Sequence, residues 1–139
     1  MKKKHYTELI PYEIAERFKE AGYREPALFR WRIRSEGDII CTNITPATDW
    51  NGDLNPSYTS APTYAEAIDW LMDKGYAIES GNVGTRWDCD LFPIGCKDPF
   101  GSIDSHIGGK SWEESVNHCL LSACSTIIEN SNERETQEN

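Results

Sequence analysis

Apolar residues recur along this chain with two different periods, and the period separates the predicted helices from the predicted strands. Residues 11–21, "PYEIAERFKEA", begin with proline and place Ile14, Phe18 and Ala21 on one face. This spacing of three to four residues is typical of an amphipathic helix, and proline suits the first helical position because no intrahelical bond needs its N–H. Gly22 follows, and glycine adopts the left-handed conformation that commonly ends a helix. We therefore predict a helix over residues 11–21.

From Leu28 to Arg34 the period falls to two, since "LFRWRIR" alternates apolar and basic residues. Alternation at every second residue predicts a half-buried strand. The turn "SEGD" and the run "IICTNI" follow, and together they predict a β-hairpin. Residues 45–62 are polar and rich in Thr, Asn and Pro, so we expect a connection that is unusually long for a small domain.

The second half of the chain repeats the order of helix and hairpin. Thr63 and Glu66 have the spacing of a capping box, and Gly75 ends a run of apolar residues at helical intervals. The segments "YAIES" and "TRWDCDLFPI" flank the turn "GNVG", which predicts a second hairpin. We expect a further short strand around residues 103–107, in a segment rich in turn residues.

The last predicted helix, "SWEESVNHCLLSACSTIIE", begins with the capping-box pair Ser111 and Glu114. The complete order is helix, hairpin, helix, hairpin, helix. It indicates an α+β fold, in which one antiparallel sheet of about four to five strands is packed with about three helices on one face. At this chain length we expect one globular domain over residues 1–129. The acidic segment 130–139 lacks large apolar residues, and we expect it to be disordered.

Composition narrows the class of protein. The 139 residues include five Trp, six Tyr and four Phe, and so many large side chains favour a folded domain over a disordered one. No apolar stretch resembles a secretory signal or a membrane span, so we expect a cytoplasmic protein with reduced cysteines and no membrane partner. The formal net charge of -9 disfavours nucleic-acid binding, because that binding depends on neutralising phosphates.

Three arginines, Arg30, Arg32 and Arg34, lie on the polar face of the first predicted strand, and two interpretations stay open. In the first, this strand lies beside "TRWDCDLF", whose Asp88 and Asp90 share a polar face. Cross-strand pairs of opposite charge would then stabilise the sheet by roughly 0.2–1 kcal/mol each. In the second, the guanidinium groups bind an anion or a partner through their forked donors.

Three further residues are candidates for binding. Arg86 would add a fourth guanidinium if the two strands are neighbours. Lys110 lies in "IGGKSWEE", which resembles the end of a phosphate-binding loop, but the full loop needs glycine where this chain has Asp104. An ordinary capped helix and a bare anion contact by Lys110 are the interpretations that remain. Trp50 lies in a polar segment, where it either packs onto the core or contacts a partner.

Two metal patterns are incomplete, and no catalytic motif is present. The segment "DWNGDLN" alternates acidic and amide residues like a calcium loop, but its glycine is at the fourth position and Ser60 occupies the twelfth. The cysteines and histidines lack the paired spacing of a structural zinc site. Adjacent helical residues such as His118 and Cys119 diverge by about 100° and do not form a dyad. We therefore expect no cofactor, no metal and no enzymatic activity.

Three segments together resemble a group of small uncharacterised proteins found in bacteriophages and prophages of gut bacteria: "APTYAEAIDWLMDKGY", "TRWDCDLF" and "SWEESVNHCLLSACSTII". The matching positions are Pro62, Thr63, Ala67, Trp70, Leu71, Trp87, Cys89, Leu91, Trp112, Glu113 and Glu114. The resemblance covers about two-thirds of the chain, and it consists of helix caps and core aromatic residues. It implies a mobile-element origin, and it transfers no catalytic or binding residue.

The function we expect is that of a non-enzymatic interaction protein of phage type, which binds a bacterial host or defence protein and can thereby inhibit it. Its expected contact surfaces are the arginine-bearing strand and the segment around Trp50. The alternative is a protein that sequesters a small anionic ligand, such as a nucleotide signal, with the arginines and Lys110 in a pocket of a homo-oligomer. An enzyme with unrecognised chemistry is the third hypothesis.

Overall fold

The computed structural model describes residues 8–25, 28–33, 39–43, 58–94 and 101–138. Within these residues the fold is α+β, with three helices and six strands. In chain order they are α1 (Tyr12–Glu20), β1 (Phe29–Ile33), β2 (Ile39–Asn43), β3 (Tyr58–Ser60), α2 (Tyr64–Asp73), β4 (Tyr76–Val83), β5 (Arg86–Pro93), β6 (Asp104–Gly109) and α3 (Trp112–Glu138). The chain divides into two compact units, Met1–Ala67 and Ile68–Asn139, and it passes from one to the other within α2.

The first unit contains a three-stranded antiparallel sheet with β1 in the centre, in the order β2-β1-β3. Helix α1 packs against β3, and its Ile14 and Phe18 are buried, as their spacing predicts. The chain leaves α1 through Gly22, whose φ of 101° is the left-handed conformation expected for a glycine at this position. Tyr23 then folds back onto Phe18, with the ring centroids 5.9 Å apart in an edge-to-face arrangement.

The capping box of α2 is confirmed. The backbone N–H of Thr63 donates to Glu66 Oε1 at 2.9 Å, and the N–H of Glu66 donates to Thr63 Oγ1 at 3.2 Å. Each side chain therefore satisfies an N–H group that the helix itself leaves unpaired. At the other end Gly75 has a φ of 98°, so the helix also ends where the sequence predicts.

The second unit contains the other antiparallel sheet, in the order β4-β5-β6, and α3 packs on all three strands. Cys89 and Leu91 of β5 are fully buried, and Trp112 of α3 donates its indole N–H to Ser80 Oγ at 3.1 Å. The remaining core of this unit consists of Trp70, Leu71, Val116, Cys119, Leu120, Ala123 and Cys124. Among the described residues, no helix is both long and apolar enough to cross a membrane.

The predicted fold class is confirmed as α+β, but its arrangement differs from the single sheet we expected. The two hairpins lie in separate sheets, and each gains a third strand. Strand β6 lies where a short strand was expected, whereas β3 falls in the segment 45–62, where we expected only a connection. Helix α3 extends to Glu138, beyond the end of the predicted helix. The single domain over 1–129 and the disorder of 130–139 stay predictions.

Candidate functional site

Arg30, Arg32 and Tyr58 form a cluster on one face of the first sheet, which we call the arginine face. The two arginines are two residues apart on β1, so their side chains share a face, and Tyr58 pairs with Arg32 on the neighbouring β3. The guanidinium carbon of Arg30 lies 3.7 Å from the centroid of the Tyr58 ring, and that of Arg32 lies 5.7 Å away. Both distances are in the range of cation–π attraction, so the aromatic ring fixes the position of two cations.

Contacts from α1 hold Tyr58 and its strand in place. Lys19 donates its ammonium to the backbone oxygen of Tyr58 at 2.8 Å. The next residue, Thr59, is buried and donates its hydroxyl to the carboxylate of Glu16. These two bonds join the short strand β3 to the helix. The backbone that carries the Tyr58 ring is therefore anchored to α1.

The two arginines differ in exposure. Arg32 is exposed, whereas Arg30 is half-buried, and its Nε is buried without a hydrogen-bond partner among the described residues. An unpaired buried donor typically costs about 1–3 kcal/mol, so native structures rarely contain one without a reason. No described carboxylate forms an ion pair with either arginine. Two cations therefore lie together against an aromatic ring, with no carboxylate from the described residues to neutralise them.

Pairing of the arginines with Asp88 and Asp90, one of the two interpretations of the sequence, is wrong. β1 is flanked by β2 and β3, and β5 is flanked by β4 and β6, so both edges of each strand are already occupied. Asp88 Oδ1 instead accepts the N–H of Gly108 at 2.9 Å, and Arg86 Nε lies 3.5 Å from the same oxygen. Arg86 therefore pairs within its own strand and adds no fourth guanidinium to a face shared with β1.

The other predicted binding residues have separate locations. Arg34 and Trp50 lie outside the described residues, as do Cys96 and most of the calcium-like segment. Lys110 is exposed just before α3, and its backbone N–H donates to Glu114 Oε2 at 2.5 Å. The backbone N–H of Glu114 donates to the hydroxyl of Ser111 at 3.1 Å, so Ser111 caps the helix. A carboxylate of the chain itself thus occupies a position where an anion would bind a helix start.

Apolar side chains are exposed on the face of the β1–β2 hairpin opposite to the arginines. Phe29, Ile33 and Ile39 belong to the β1–β2 hairpin, and each exposes more than a third of its surface. Ile33 and Ile39 are directly opposed at one end of the hairpin. The alternation of "FRWRI" therefore does not separate a buried face from a wet one, because Arg30 is half-buried while Phe29 is exposed.

A second cluster, absent from the residues predicted by sequence, lines a groove of about 320 Å³ in the second unit. We call it the polar groove, and its residues are Ile103, Asp104, His118, Leu121, Ser122, Ser125, Thr126 and Glu129. Asp104 is the hub of the cluster. Its Oδ2 accepts hydrogen bonds from Ser122 Oγ and from His118 Nε2, the latter at 2.8 Å, and its Oδ1 accepts the Ser105 N–H at 2.8 Å.

These bonds determine the charge of the cluster. The hydroxyl of Ser122 contributes most to lowering the pKa of Asp104 below its usual range, and the Ser105 N–H and His118 lower it further against an opposing effect of burial. The carboxylate is therefore ionised and accepts only, so His118 must donate from Nε2. The rings of His118 and His106 lie close, with centroids 4.9 Å apart.

The arrangement of the cluster excludes one familiar mechanism. In a nucleophilic triad the histidine bonds to the serine and the carboxylate orients the histidine. Here Ser122 and His118 both bond to Asp104, so the serine hydroxyl contacts the carboxylate and not the imidazole. Within the described part of the chain, no three His, Cys, Asp or Glu side chains are grouped to hold a metal ion.

The thiols near the groove have low reactivity. Cys89 and Cys119 are fully buried. A hydrogen bond with Cys89 raises the pKa of the Cys119 thiol far above its ordinary value, and burial adds to the effect. A thiol that rarely ionises is a poor nucleophile, so Cys119 serves packing.

A sequence signal for the polar groove did exist. His118, Ser122, Ser125 and Glu129 recur three to four residues apart in the last helix, which is the spacing of one helical face. Their meeting with Asp104 depends on how β6 lies along α3, which no local pattern gives. No family model matches this chain, and neither a curated protein nor a solved structure is significantly similar to it. Its function must therefore be inferred from the arginine face and the polar groove themselves.

Proposed function

We propose that this chain is a non-enzymatic interaction protein whose arginine face binds an acidic surface of another protein. The observation that carries the proposal is the pair Arg30 and Arg32 on the ring of Tyr58, without a described carboxylate partner. Guanidinium groups bind carboxylates through paired donors, and a stacked arginine loses less conformational freedom on binding. The exposed Arg32 makes the contact, while Arg30 reinforces the local positive potential.

The surroundings favour a protein partner over a small anion. Small-molecule sites are usually concave, whereas protein interfaces combine arginine, aromatic and apolar side chains over a broader surface. The arginine face supplies the arginine and aromatic part of this combination, through two guanidinium groups on the Tyr58 ring, while Phe29, Ile33 and Ile39 are partly exposed on the opposite face of the hairpin. Partner binding at the arginine face would neutralise Arg32.

The resemblance to phage and prophage proteins supports a bacterial host or defence protein as the partner, and the cytoplasm of a bacterial cell as the location. Both belong to the proposal. Around Asp104 the serine bonds to the carboxylate and not to His118, so these described residues do not form a Ser-His-Asp triad, which supports the non-enzymatic part.

Capture of a partner by variants of the tagged protein tests the arginine face. Wild type, Arg32→Ala and Arg24→Ala are immobilised, exposed to bacterial lysate and washed at increasing salt. Arg24 is an exposed arginine of the same unit, so its variant removes the same charge elsewhere. We expect Arg32→Ala to bind the purified partner about 30-fold more weakly, as interface arginines often contribute about 2 kcal/mol. Equal binding by both variants would remove the arginine face from the function.

A competition arm distinguishes the alternative, a small anionic ligand. Inorganic phosphate and ATP are titrated into wild type and into Arg32→Ala by calorimetry. Saturable ATP binding that disappears in Arg32→Ala, without any captured protein, would favour the ligand-sequestering hypothesis. If Arg30→Ala lowers only the melting temperature and no binding is affected, the arginines stabilise the sheet and do nothing more.

A further inference from the structure

The polar groove offers hydrogen-bond acceptors, because several of its donors are already used inside the chain. Ser122 Oγ and His118 Nε2 both donate to Asp104. Thr126 Oγ1 donates to the backbone oxygen of Ser122 at 2.9 Å. The lone pairs of these hydroxyls, one remaining acceptor site on Asp104 Oδ1 and the carboxylate oxygens of Glu129 remain available. A ligand that fits this lining must bring donors of its own.

The charge of the groove favours a cationic ligand. Asp104 and Glu129 are its two carboxylates; His118 contacts Asp104 at 2.8 Å, and no described lysine or arginine forms an ion pair with either carboxylate. The sequence of the second unit holds thirteen acidic and five basic residues, a formal charge of -8, so the surrounding field has the same sign. A negative cleft of this kind concentrates cationic ligands.

The shape of the groove suits a linear molecule. Ser122, which holds Asp104, and Glu129 are seven residues apart on α3, which corresponds to about 10 Å along the helix axis. Ile103 and Leu121 supply apolar wall, each exposing more than a third of its surface. The volume of about 320 Å³ lies at the lower end of the range of small-molecule sites.

We propose that the polar groove binds a linear aliphatic polyamine, with one ammonium at Asp104, another at Glu129 and the methylene chain along Leu121. Ammonium groups supply three donors each for the acceptors that line the groove. The groove belongs to the second unit and the arginine face to the first, so neither proposal depends on the other.

Isothermal calorimetry with spermidine as the probe tests the groove. The variants are Glu129→Gln, which alters an exposed end of the site, and Leu121→Trp, which fills it without removing charge. Glu133→Gln is the matched control, because it removes the same charge from an exposed position one turn further along α3. We expect one spermidine to bind per chain. The dissociation constant of Glu129→Gln should be about tenfold larger, because this variant loses one charge-assisted hydrogen bond. Putrescine, which is shorter, should bind more weakly to wild type and be less sensitive to Glu129→Gln.

Four results would overturn the proposal. The first is the absence of saturable spermidine binding to wild type. The second is an equal loss of affinity in Glu133→Gln and Glu129→Gln, which would indicate diffuse attraction to an acidic surface. The third is unchanged affinity in Leu121→Trp with a normal far-UV spectrum, which would place the ligand outside the groove. Asp104→Asn serves as a further variant, and retention of full affinity in folded Asp104→Asn would equally exclude the site.

Discussion

Gly109 lies where β6 passes into α3, and substituting it with alanine tests how closely these elements approach. A Cβ at Gly109 would overlap Ser115 Oγ, and it would lie 3.1 Å from the backbone oxygen of Trp87. Ser115 is fully buried and donates its hydroxyl to the same Trp87 oxygen at 2.8 Å. The hydroxyl therefore cannot move aside without losing its bond. Glycine is required at position 109 because there is no space for a Cβ atom.

The expected cost of Gly109→Ala has two parts. Overpacking a buried contact typically costs about 1–3 kcal/mol. Displacing Ser115 Oγ from Trp87 costs a further ~0.5–1.5 kcal/mol for the lost hydrogen bond. We therefore expect the free energy of unfolding to fall by about 2–4 kcal/mol, which corresponds to a Tm lower by roughly 7–14 °C for a chain of this size. Urea unfolding followed by far-UV circular dichroism measures the first quantity, and thermal unfolding followed in the same way measures the second.

Two other glycines provide controls with different physical causes. A methyl group added at Gly81 would have no atom within 4 Å, and the φ of this residue is not positive, so Gly81→Ala should change the stability by less than about 1 kcal/mol. Gly108 has equal space but a φ of 81°, so Gly108→Ala should cost about 1–2 kcal/mol through backbone strain alone. Gly109→Ala should exceed both.

The double variant Gly109→Ala/Ser115→Ala identifies the clashing atom. Removing Ser115 Oγ gives the new methyl group room, so the double variant should be about 1–2 kcal/mol more stable than the sum of the single effects. Strict additivity would show that Ser115 is not the obstacle. A Gly109→Ala variant as stable as Gly81→Ala would refute the close packing of β6 against the start of α3, on which the polar groove depends.

Three further predictions concern caps, pH and thiols. Thr63→Ala should lower the unfolding free energy by about 1 kcal/mol in urea titrations, whereas Thr63→Ser should retain the stability of wild type. Equal losses in the two variants would show that the hydroxyl of residue 63 does not stabilise the helix. Because the pKa of Asp104 is lowered in the folded state, its stabilising effect should be present at neutral pH and disappear as the pH falls below the ordinary aspartate range. Wild type and Asp104→Asn should therefore differ in stability at pH 7 and converge in acid, and Ser122→Ala should reduce the difference, since its hydroxyl contributes most; a difference independent of pH would contradict this. Iodoacetamide should label the exposed Cys41 in the native protein. Peptide mass spectrometry should show that the buried thiols of Cys89, Cys119 and Cys124 are labelled only after unfolding. Labelling of these thiols in the native protein as fast as Cys41 would contradict the packing.

Local signals predicted the starts of the three helices and the ends of α1 and α2, but not the end of α3. The capping box at Thr63 and the left-handed glycines Gly22 and Gly75 act within a few residues, so their sequence pattern already contains the interaction. The two hairpins are local in the same sense, because each joins neighbouring segments of the chain. Such features could be predicted before any tertiary contact was known.

Partition of the strands into two sheets could not be predicted in the same way. β3 has three residues, follows a segment rich in Asn and Pro, and pairs with β1 across a long separation in sequence. Its weak pattern gave no reason to place a strand beside the arginines. Without β3, the free edge of β1 looked available to β5, and complementary charges at Arg30 and Asp88 made that pairing plausible. Strand neighbours depend on edges already occupied, which charge alone does not reveal.

The net charge of -9 does not describe the arginine face. The first unit holds nine basic and ten acidic residues, so almost all of the imbalance belongs to the second unit. At physiological ionic strength, charges beyond about 8 Å are largely screened, so a ligand responds mainly to the groups around its own site. An anionic partner at Arg32 and a cationic ligand at Glu129 are therefore compatible in one acidic chain. Raising the salt concentration should weaken both interactions, but only Arg32→Ala should remove the first and only Glu129→Gln the second. Loss of both in either variant would contradict two independent sites.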